Sequence, residues 1–435
     1  MKRLSEPASL SEQIAATLEP VLGDAAISNL ERLSGGASRE TWSFSAGDRE
    51  LVLRRDPPGR PGAPGSMARE ASAIRAAHRA GLSVPAVLAE DDGELLGTAG
   101  LVMARVPGET IARRILRDPE FREARSVLTR QIGAFLGGLH SIDPGEVRGL
   151  AADDQLESYW MAYQLVGDRS LTFETAYEWL AANRPPPPSQ PAIVHGDLRL
   201  GNLIVGPDGL RAVIDWELVH LGDALEDLAW LCTKAWRFGE AMPVAGVGSV
   251  EDLFEAYSSV SGSAVDRDAF HWWLVLGTLK WGIICMGQVA AHLSGAFRSV
   301  ELAAIGRRVA EQEWDLLELL APDEWARARD DVRDDEAPDV PGLHGRPTAR
   351  ELLEAVQEFL TDQVMPSTGG QLSFHARVAA NALAIVDREL ASGAAQAARA
   401  AASGAGGAGE PPGWAALASV VRDKLAVANP RHLGR

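Results

Sequence analysis

Cysteine is almost absent from this chain: two occur among 435 residues. Cys232 and Cys285 both lie in apolar surroundings without C-x-x-C spacing. They read as buried thiols in a reducing compartment, with no chemistry of their own. Positive charge is also short, with 42 Lys and Arg against 60 Asp and Glu and a formal net charge of −18. No block of Lys or Arg offsets that excess, so a phosphate backbone would be repelled and a nucleic-acid partner is excluded. Met1-Lys2-Arg3 and the polar stretch after it lack the apolar run of a secretory signal, and a cytoplasmic location is expected. Long apolar runs are equally scarce. Trp272 to Ala291 is the one stretch that raises the question of a membrane span, and Lys280 in its middle with Gln288 near its end favours a buried core helix.

What is present is ordinary globular composition, 46% hydrophobic and 23% charged, enough for a large core divided over two or three folding units. Thr41 to Phe44 and Leu51 to Leu53 are short β-like runs around a hairpin, preceded by a turn at Ser34 to Ser38. Met67 to Ala80 carries helix formers with Glu70 in its first turns, and Leu101 to Ala104 reads as a strand ending at Pro107-Gly108. From Val106 the pattern turns helical, with Val127 to His140 strongly amphipathic. Pro185 to Pro188 is a stiff extended lead into the segment from Ile193 to Trp216. Acidic residues and prolines from Arg327 to Pro347 mark a linker. Beyond it, Thr348 caps an expected helix containing Leu352, Val356 and Phe359, a second is expected over Phe374 to Leu390, and Ala391 to Pro412 reads as mobile low-complexity sequence. The expected organisation is a β-rich lobe over residues 1–105, an α-rich lobe over 106–328, a linker over 329–347 and a helical accessory domain over 348–435.

The chemistry concentrates in His195-Gly196-Asp197-Leu198-Arg199-Leu200-Gly201-Asn202, then Leu203 to Val205, a Pro207-Asp208-Gly209 turn, and Leu210 to Ile214 leading into Asp215-Trp216-Glu217. Two short apolar runs around such a turn form a hairpin, which returns Asp215 to the neighbourhood of Asn202. Asp197, Asn202 and Asp215 then offer oxygen ligands at one end of it. That set suits Mg²⁺, which takes one or two carboxylates and fills its shell with water and phosphate oxygens, and it leaves a carboxylate to accept a hydroxyl proton.

This pattern resembles the catalytic and metal-binding motifs of the aminoglycoside phosphotransferase and choline kinase-like family, relatives of the protein kinases, and in particular the acyl-CoA-dehydrogenase-associated branch. The resemblance covers roughly residues 25 to 320, and Gly222-Asp223-Ala224 to Asp227-Leu228-Ala229 extends it, with Ala224 in the place of a usual proline. It implies an α+β, bilobal protein-kinase-like fold, here followed by a small all-α domain similar to a domain of unknown function that accompanies some kinase-like proteins. It implies ATP and Mg²⁺ as cofactors and transfer of the γ-phosphate to a hydroxyl of a small molecule. Asp197 becomes the catalytic residue, and Asn202 and Asp215 the metal ligands. Gly35, Gly36 and Ser38 match the phosphate-covering loop, Arg54 takes the slot where kinases place a lysine, Glu70 pairs with it, and Ala104 and Val106 form the hinge that meets adenine. Taken singly, the glycines make a turn, Glu70 a solvated helix residue and Asp215 a strand-end turn; their order along one chain is what favours the kinase reading.

Two other classes compete. A metallophosphoesterase uses G-D and G-N elements, but needs an upstream D-x-H and several downstream histidines, and no D-x-H precedes Asp197. A nucleotide-binding pseudokinase acting through its helical C-terminal region is the second, motivated by arginine at position 54. The acceptor is expected in the helical lobe, where Trp230, Trp236, Trp272, Trp273 and Trp281 are candidates either for binding it or for core packing. The apolar faces of residues 348–435 are expected to pack on the kinase lobe, on a second copy or on a protein partner.

Overall fold

The computed structural model describes residues 9–33, 39–333, 335–340, 346–403 and 413–434. Its chain divides into two compact units, Met1–Asp153 with Pro186–Phe270, and Asp154–Pro185 with His271–Arg435.

The first unit opens with α1 (Leu10–Leu22), whose start is fixed by a capping box: the Ser9 hydroxyl accepts from the Glu12 N–H while the Glu12 carboxylate accepts from the Ser9 N–H. Then come β1 (Ile27–Leu33), β2 (Glu40–Ala46), β3 (Arg49–Arg55), α2 (Ser66–Arg79), β4 (Val87–Asp91) and β5 (Gly100–Ala104). The strands form one antiparallel sheet in the order β1-β2-β3-β5-β4. Because side chains alternate along a strand, Leu51 and Leu53 enter a core with Phe44, Val102 and the α1 residues Ile14 and Leu18, while Arg54 emerges on the opposite face. Arg54 lies mid-sheet, paired with Thr41 on one side and Leu101 on the other. The strands predicted at Thr41–Phe44, Leu51–Leu53 and Leu101–Ala104 and the helix at Met67–Ala80 are all present, each within a few residues of the expected bounds. The element α1 and the strands β1 and β4 carry weaker patterns and were not anticipated as such.

After α3 (Ala112–Arg117) comes α4 (Arg122–His140), the predicted amphipathic helix with an added first turn. The chain continues through α5 (Gln155–Val166) and α6 (Leu171–Ala182), which belong to the second unit, and returns as β6 (Ala192–Val194). The hairpin follows as β7 (Leu203–Gly206) and β8 (Gly209–Val213), pairing Leu203 with Val213. Then β9 (His220–Gly222) pairs with β6, followed by α7 (Leu225–Cys232) and α8 (Val250–Ser261). Helices α4 and α8 approach unusually closely, because Gly133 and Gly137 present no side chain. A Cβ at Gly133 would stand 2.7 Å from the Leu253 carbonyl oxygen, and one at Gly137 would stand 2.8 Å from that of Tyr257.

The second unit is helical. Its long α9 (Arg267–Leu293) is, among the described residues, the helix long and apolar enough to cross a membrane by length and composition. Here its apolar side chains are spent on protein: Trp272, Val275, Leu276, Leu279 and Ile283 pack with Leu156, Phe173 and Leu180 of α5 and α6. The Lys280 ammonium lies 5.2 Å from the Tyr159 ring. Next come α10 (Val300–Gly306), α11 (Val309–Leu320) and α12 (Pro322–Asp330), then α13 (Ala349–Glu358), a π-helical turn over Phe359–Val364, α14 (Met365–Ser367), α15 (Gly370–Ala402) and α16 (Trp414–Ala428). The Thr348 cap is present as a full capping box with Glu351. Two boundaries differ from expectation. The predicted linker begins inside α12, and α15 continues to Ala402 through sequence read as low-complexity, because alanine is the strongest helix former and carries the helix past its last apolar anchor. The α16 residues Leu417, Ala418, Val421 and Leu425 pack on Trp314, Leu317 and Trp325 of α11 and α12. Polar pairs reinforce this seam: Lys424 Nζ stands 2.8 Å from a Glu313 oxygen, and His432 Nε2 stands 2.7 Å from Asp315 Oδ1.

Candidate active site

The loop between β6 and β7 is held from beneath by a buried carboxylate. Asp227, at the start of α7 and 0% exposed, accepts from the His195 N–H at 2.7 Å and the Gly196 N–H at 2.9 Å. His140 Nε2 lies 3.2 Å from the same carboxylate, and its Nδ1 faces the Tyr257 hydroxyl at 3.3 Å. Burial works against the Asp227 charge, but the His140 hydrogen bond, the nearby imidazoles and the backbone donor outweigh it and hold the carboxyl below its ordinary value. His195 is turned to structural use. Its Nδ1 accepts from the Asp197 N–H at 3.2 Å, so Nε2 carries the hydrogen and donates to the Ile214 carbonyl at 3.1 Å. The ring thereby ties Asp197 to the strand that leads into Asp215.

Asp197 is surrounded by donors. Asn202 Nδ2 reaches its carboxylate at 2.7 Å and its backbone carbonyl at 2.8 Å, Trp230 Nε1 donates at 2.9 Å, and Arg199 Nε lies 3.2 Å from Oδ2. Arg199 also sits over the Trp236 ring at 5.3 Å, in space that Gly201 leaves: a Cβ there would fall 2.6 Å from Arg199 Nη1. With its NH₂ committed to Asp197, Asn202 keeps its amide oxygen as an acceptor. The Ile214 N–H bonds the Asn202 carbonyl at 2.9 Å, as the predicted hairpin requires, and this sets Asp215 beside it. Asp215, two residues past β8, has φ +69°, a left-handed conformation uncommon outside glycine though tolerated by Asp and Asn.

A second cluster joins the sheet to this loop. Arg54 Nη1 lies 2.5 Å from Glu70 Oε1, its Nη2 lies 2.5 Å from Asp215 Oδ1, and Glu217 Oε2 is 3.6 Å from that same nitrogen. Burial opposes the Arg54 charge, while Glu70, Asp215 and Glu217 more than compensate and hold the guanidinium above its ordinary value. The expected Arg54–Glu70 pair is therefore present, and the structure adds Asp215 and Glu217 to it. Sequence reasoning missed Arg39, which bonds the other Glu70 oxygen and lies 3.5 Å from Asp56 and 3.9 Å from Glu217. It also missed Trp230 and Arg199 on Asp197; the signal available was their place within or just after the two motifs. Ala104 ends β5 and donates to the Ala86 carbonyl, and Val106 follows, one residue beyond Arg105, whose N–H bonds the Glu50 carbonyl. Gly35, Gly36 and Ser38 lie outside the described residues. Trp230, Trp236 and Trp272 are buried, and Trp272 donates to the Leu180 carbonyl, which is core behaviour.

Among the described residues no three His, Cys, Asp or Glu converge as a metal cage. The donor set offered is a carboxylate, Asp215, and a leftover amide oxygen, Asn202, which fits Mg²⁺ bound jointly with phosphate and water but not a fully protein-ligated ion.

The profile of the "Phosphotransferase enzyme family" matches residues 29–273 of this sequence, more than half of it. The chain belongs to that family. A second profile, a domain of unknown function (DUF6285), matches residues 366–412, within the all-α C-terminal region. Chicken acyl-CoA dehydrogenase family member 11 is 30% identical over 325 residues, covering 67% of this chain and 41% of that protein. Viomycin phosphotransferase of Streptomyces vinaceus is 32% identical over 141 residues, 30% of this chain and 48% of that enzyme. The phosphotransferase chain thus spans less than half the length of these curated relatives. A solved Ralstonia eutropha protein, assigned as an aminoglycoside phosphotransferase, superposes with a TM-score of 0.57 at 20% identity, covering 71% of this chain and 97% of that one. The kinase-like fold expected from the motifs is the fold observed.

Proposed function

We propose that this phosphotransferase uses ATP and Mg²⁺ to move the γ-phosphate to a hydroxyl of a small molecule in the cytoplasm. The observation that carries the reading is the convergence, within one unit, of Asp197, Asn202 and Asp215 with the Arg54–Glu70 pair. Phosphoryl transfer needs these parts because its loose transition state is stabilised by positioning and by cations on the phosphate oxygens. Asp215 and Asn202 would hold the Mg²⁺, which supplies charge neutralisation on the phosphates. Arg54 offers a guanidinium fork to a nucleotide phosphate. Asp197, oriented by Asn202 and Trp230, accepts the proton of the attacking hydroxyl. By the motif resemblance, Ala104 and Val106 would receive adenine at the hinge, and Gly35, Gly36 and Ser38 would supply backbone N–H groups to the phosphates. The acyl-CoA dehydrogenase names of the longer relatives support a hydroxylated acyl compound as the acceptor class.

Calorimetric titration of Mg·ATP into the wild type and Asp215→Ala tests the site. Binding that requires both Mg²⁺ and Asp215 supports the reading and leads to a screen of hydroxylated acyl compounds as acceptors. No binding to the wild type refutes it. Tight Mg·ATP binding with no transfer to any acceptor or to water would instead identify a nucleotide-binding scaffold.

A further inference from the structure

Glu70 divides its carboxylate between two arginines, giving Oε1 to Arg54 and Oε2 to Arg39. The two are not equivalent. Arg54 reaches outward to Asp215, a residue 29% exposed at its side chain. Arg39 is 8% exposed and is gripped from several sides: its Nε faces Asp56 at the end of the β3 segment, Nη2 lies 3.4 Å from the Ser66 hydroxyl and Nη1 lies 3.6 Å from Met67 Sδ, both on the first turn of α2. Arg39 is thus tied to the sheet and to the helix that carries Glu70, its donors spread over the three nitrogens of a planar fork where a lysine has a single nitrogen.

For Arg54 to bind a nucleotide phosphate it must release Asp215, which in the proposed reaction turns to the metal. During that exchange Glu70 is the one carboxylate that still hydrogen-bonds Arg54, with Glu217 farther off at 3.6 Å. A carboxylate held only by the arginine it is meant to hold would move with it. The second arginine removes that freedom. We propose that Arg39 is a positioning residue of the phosphate site: it locks Glu70 so that Arg54 is presented to the nucleotide when it lets go of Asp215. Arg39 touches no substrate in this scheme and acts through Glu70. The inference rests on the nucleotide-binding reading of the site.

The test is a double-mutant cycle on Mg·ATP affinity, read by calorimetry, with thermal melts reporting the fold. Arg39→Met is expected to weaken binding about tenfold in the wild-type background, within the range of coupling seen between contacting residues, and less than twofold in a Glu70→Gln background, where the partner it acts through is already neutral. A purely structural role would lower the melting temperature yet cost the same affinity in both backgrounds, and that equality would overturn the proposal. Arg39→Lys keeps the charge without the fork and is expected to bind several-fold more weakly; should Arg39→Met fail to fold, wild-type affinity in Arg39→Lys would overturn it instead. Absence of Mg·ATP binding by the wild type would refute the underlying reading, a distinct result.

Discussion

Replacing Asp227 with Asn tests how the loop that carries Asp197 is held. The substitution is nearly isosteric, so packing changes little, but the hydrogen-bond inventory changes sharply. Asp227 accepts from two buried backbone amides and from His140. Asn has one oxygen, and its NH₂ must face one of the two amides, leaving a buried N–H unsatisfied at about 1–3 kcal/mol. The remaining bonds become neutral and lose roughly half their strength. A total near 3 kcal/mol follows, or a melting midpoint lower by about 5–10 °C. Tryptophan fluorescence during denaturant titration measures it, since Trp216 and Trp230 lie in the same unit. The pH dependence sharpens the test. A carboxyl held below its unfolded value contributes stability that is fully present above the unfolded pKa, near 4, and is lost as pH falls through the folded value. The gap between wild type and Asp227→Asn should stay constant from neutrality to about pH 4 and close below it. A variant within ~0.5 kcal/mol of wild type at pH 7 would refute the view that this carboxylate holds the loop.

Other consequences are simpler to check. Gly201→Ala puts a Cβ 2.6 Å from Arg199 Nη1, the far end of a flexible side chain, so the melt should hold while phosphoryl transfer falls as Arg199 leaves Asp197. Gly133→Ala meets backbone instead, the Leu253 carbonyl at 2.7 Å, and should destabilise the fold by about 1–3 kcal/mol in denaturant titration. Leu425→Ala should cost about 2–5 kcal/mol by emptying a fully buried position beneath α16. Burial pushes the Cys232 and Cys285 thiols up to about 12, so a thiol alkylating reagent at pH 8 should label neither in the native protein and both after denaturation.

The parts that sequence patterns revealed are those set by short-range chemistry. The Pro207-Asp208-Gly209 turn fixed a hairpin, the hairpin brought Asp215 back to Asn202, and Thr348 with Glu351 announced the start of α13. The Arg54–Glu70 pair was legible because the strand, the helix and the motif after them came in order. Arg39 was not legible: a single arginine after a glycine-rich turn looks like surface charge, and only the folded sheet sets it against Asp56 and Glu70 from α2. Trp230 likewise read as core or acceptor wall, since nothing local says that its indole nitrogen would donate to a carboxylate 33 residues earlier. The extension of α15 was masked by glycine and alanine together, where alanine prevailed.

The cations gathered at Glu70 are both guanidiniums, and Arg54 is pushed further from deprotonation by its carboxylates. A kinase with lysine in that slot carries a group whose ordinary pKa, about 10.4, lies well below that of a guanidinium. Here Arg54 keeps its proton at any pH the fold survives. In the proposed reaction, the alkaline limb of a rate profile would therefore report something other than phosphate anchoring by Arg54, which stays charged wherever the cell or the assay sets the pH.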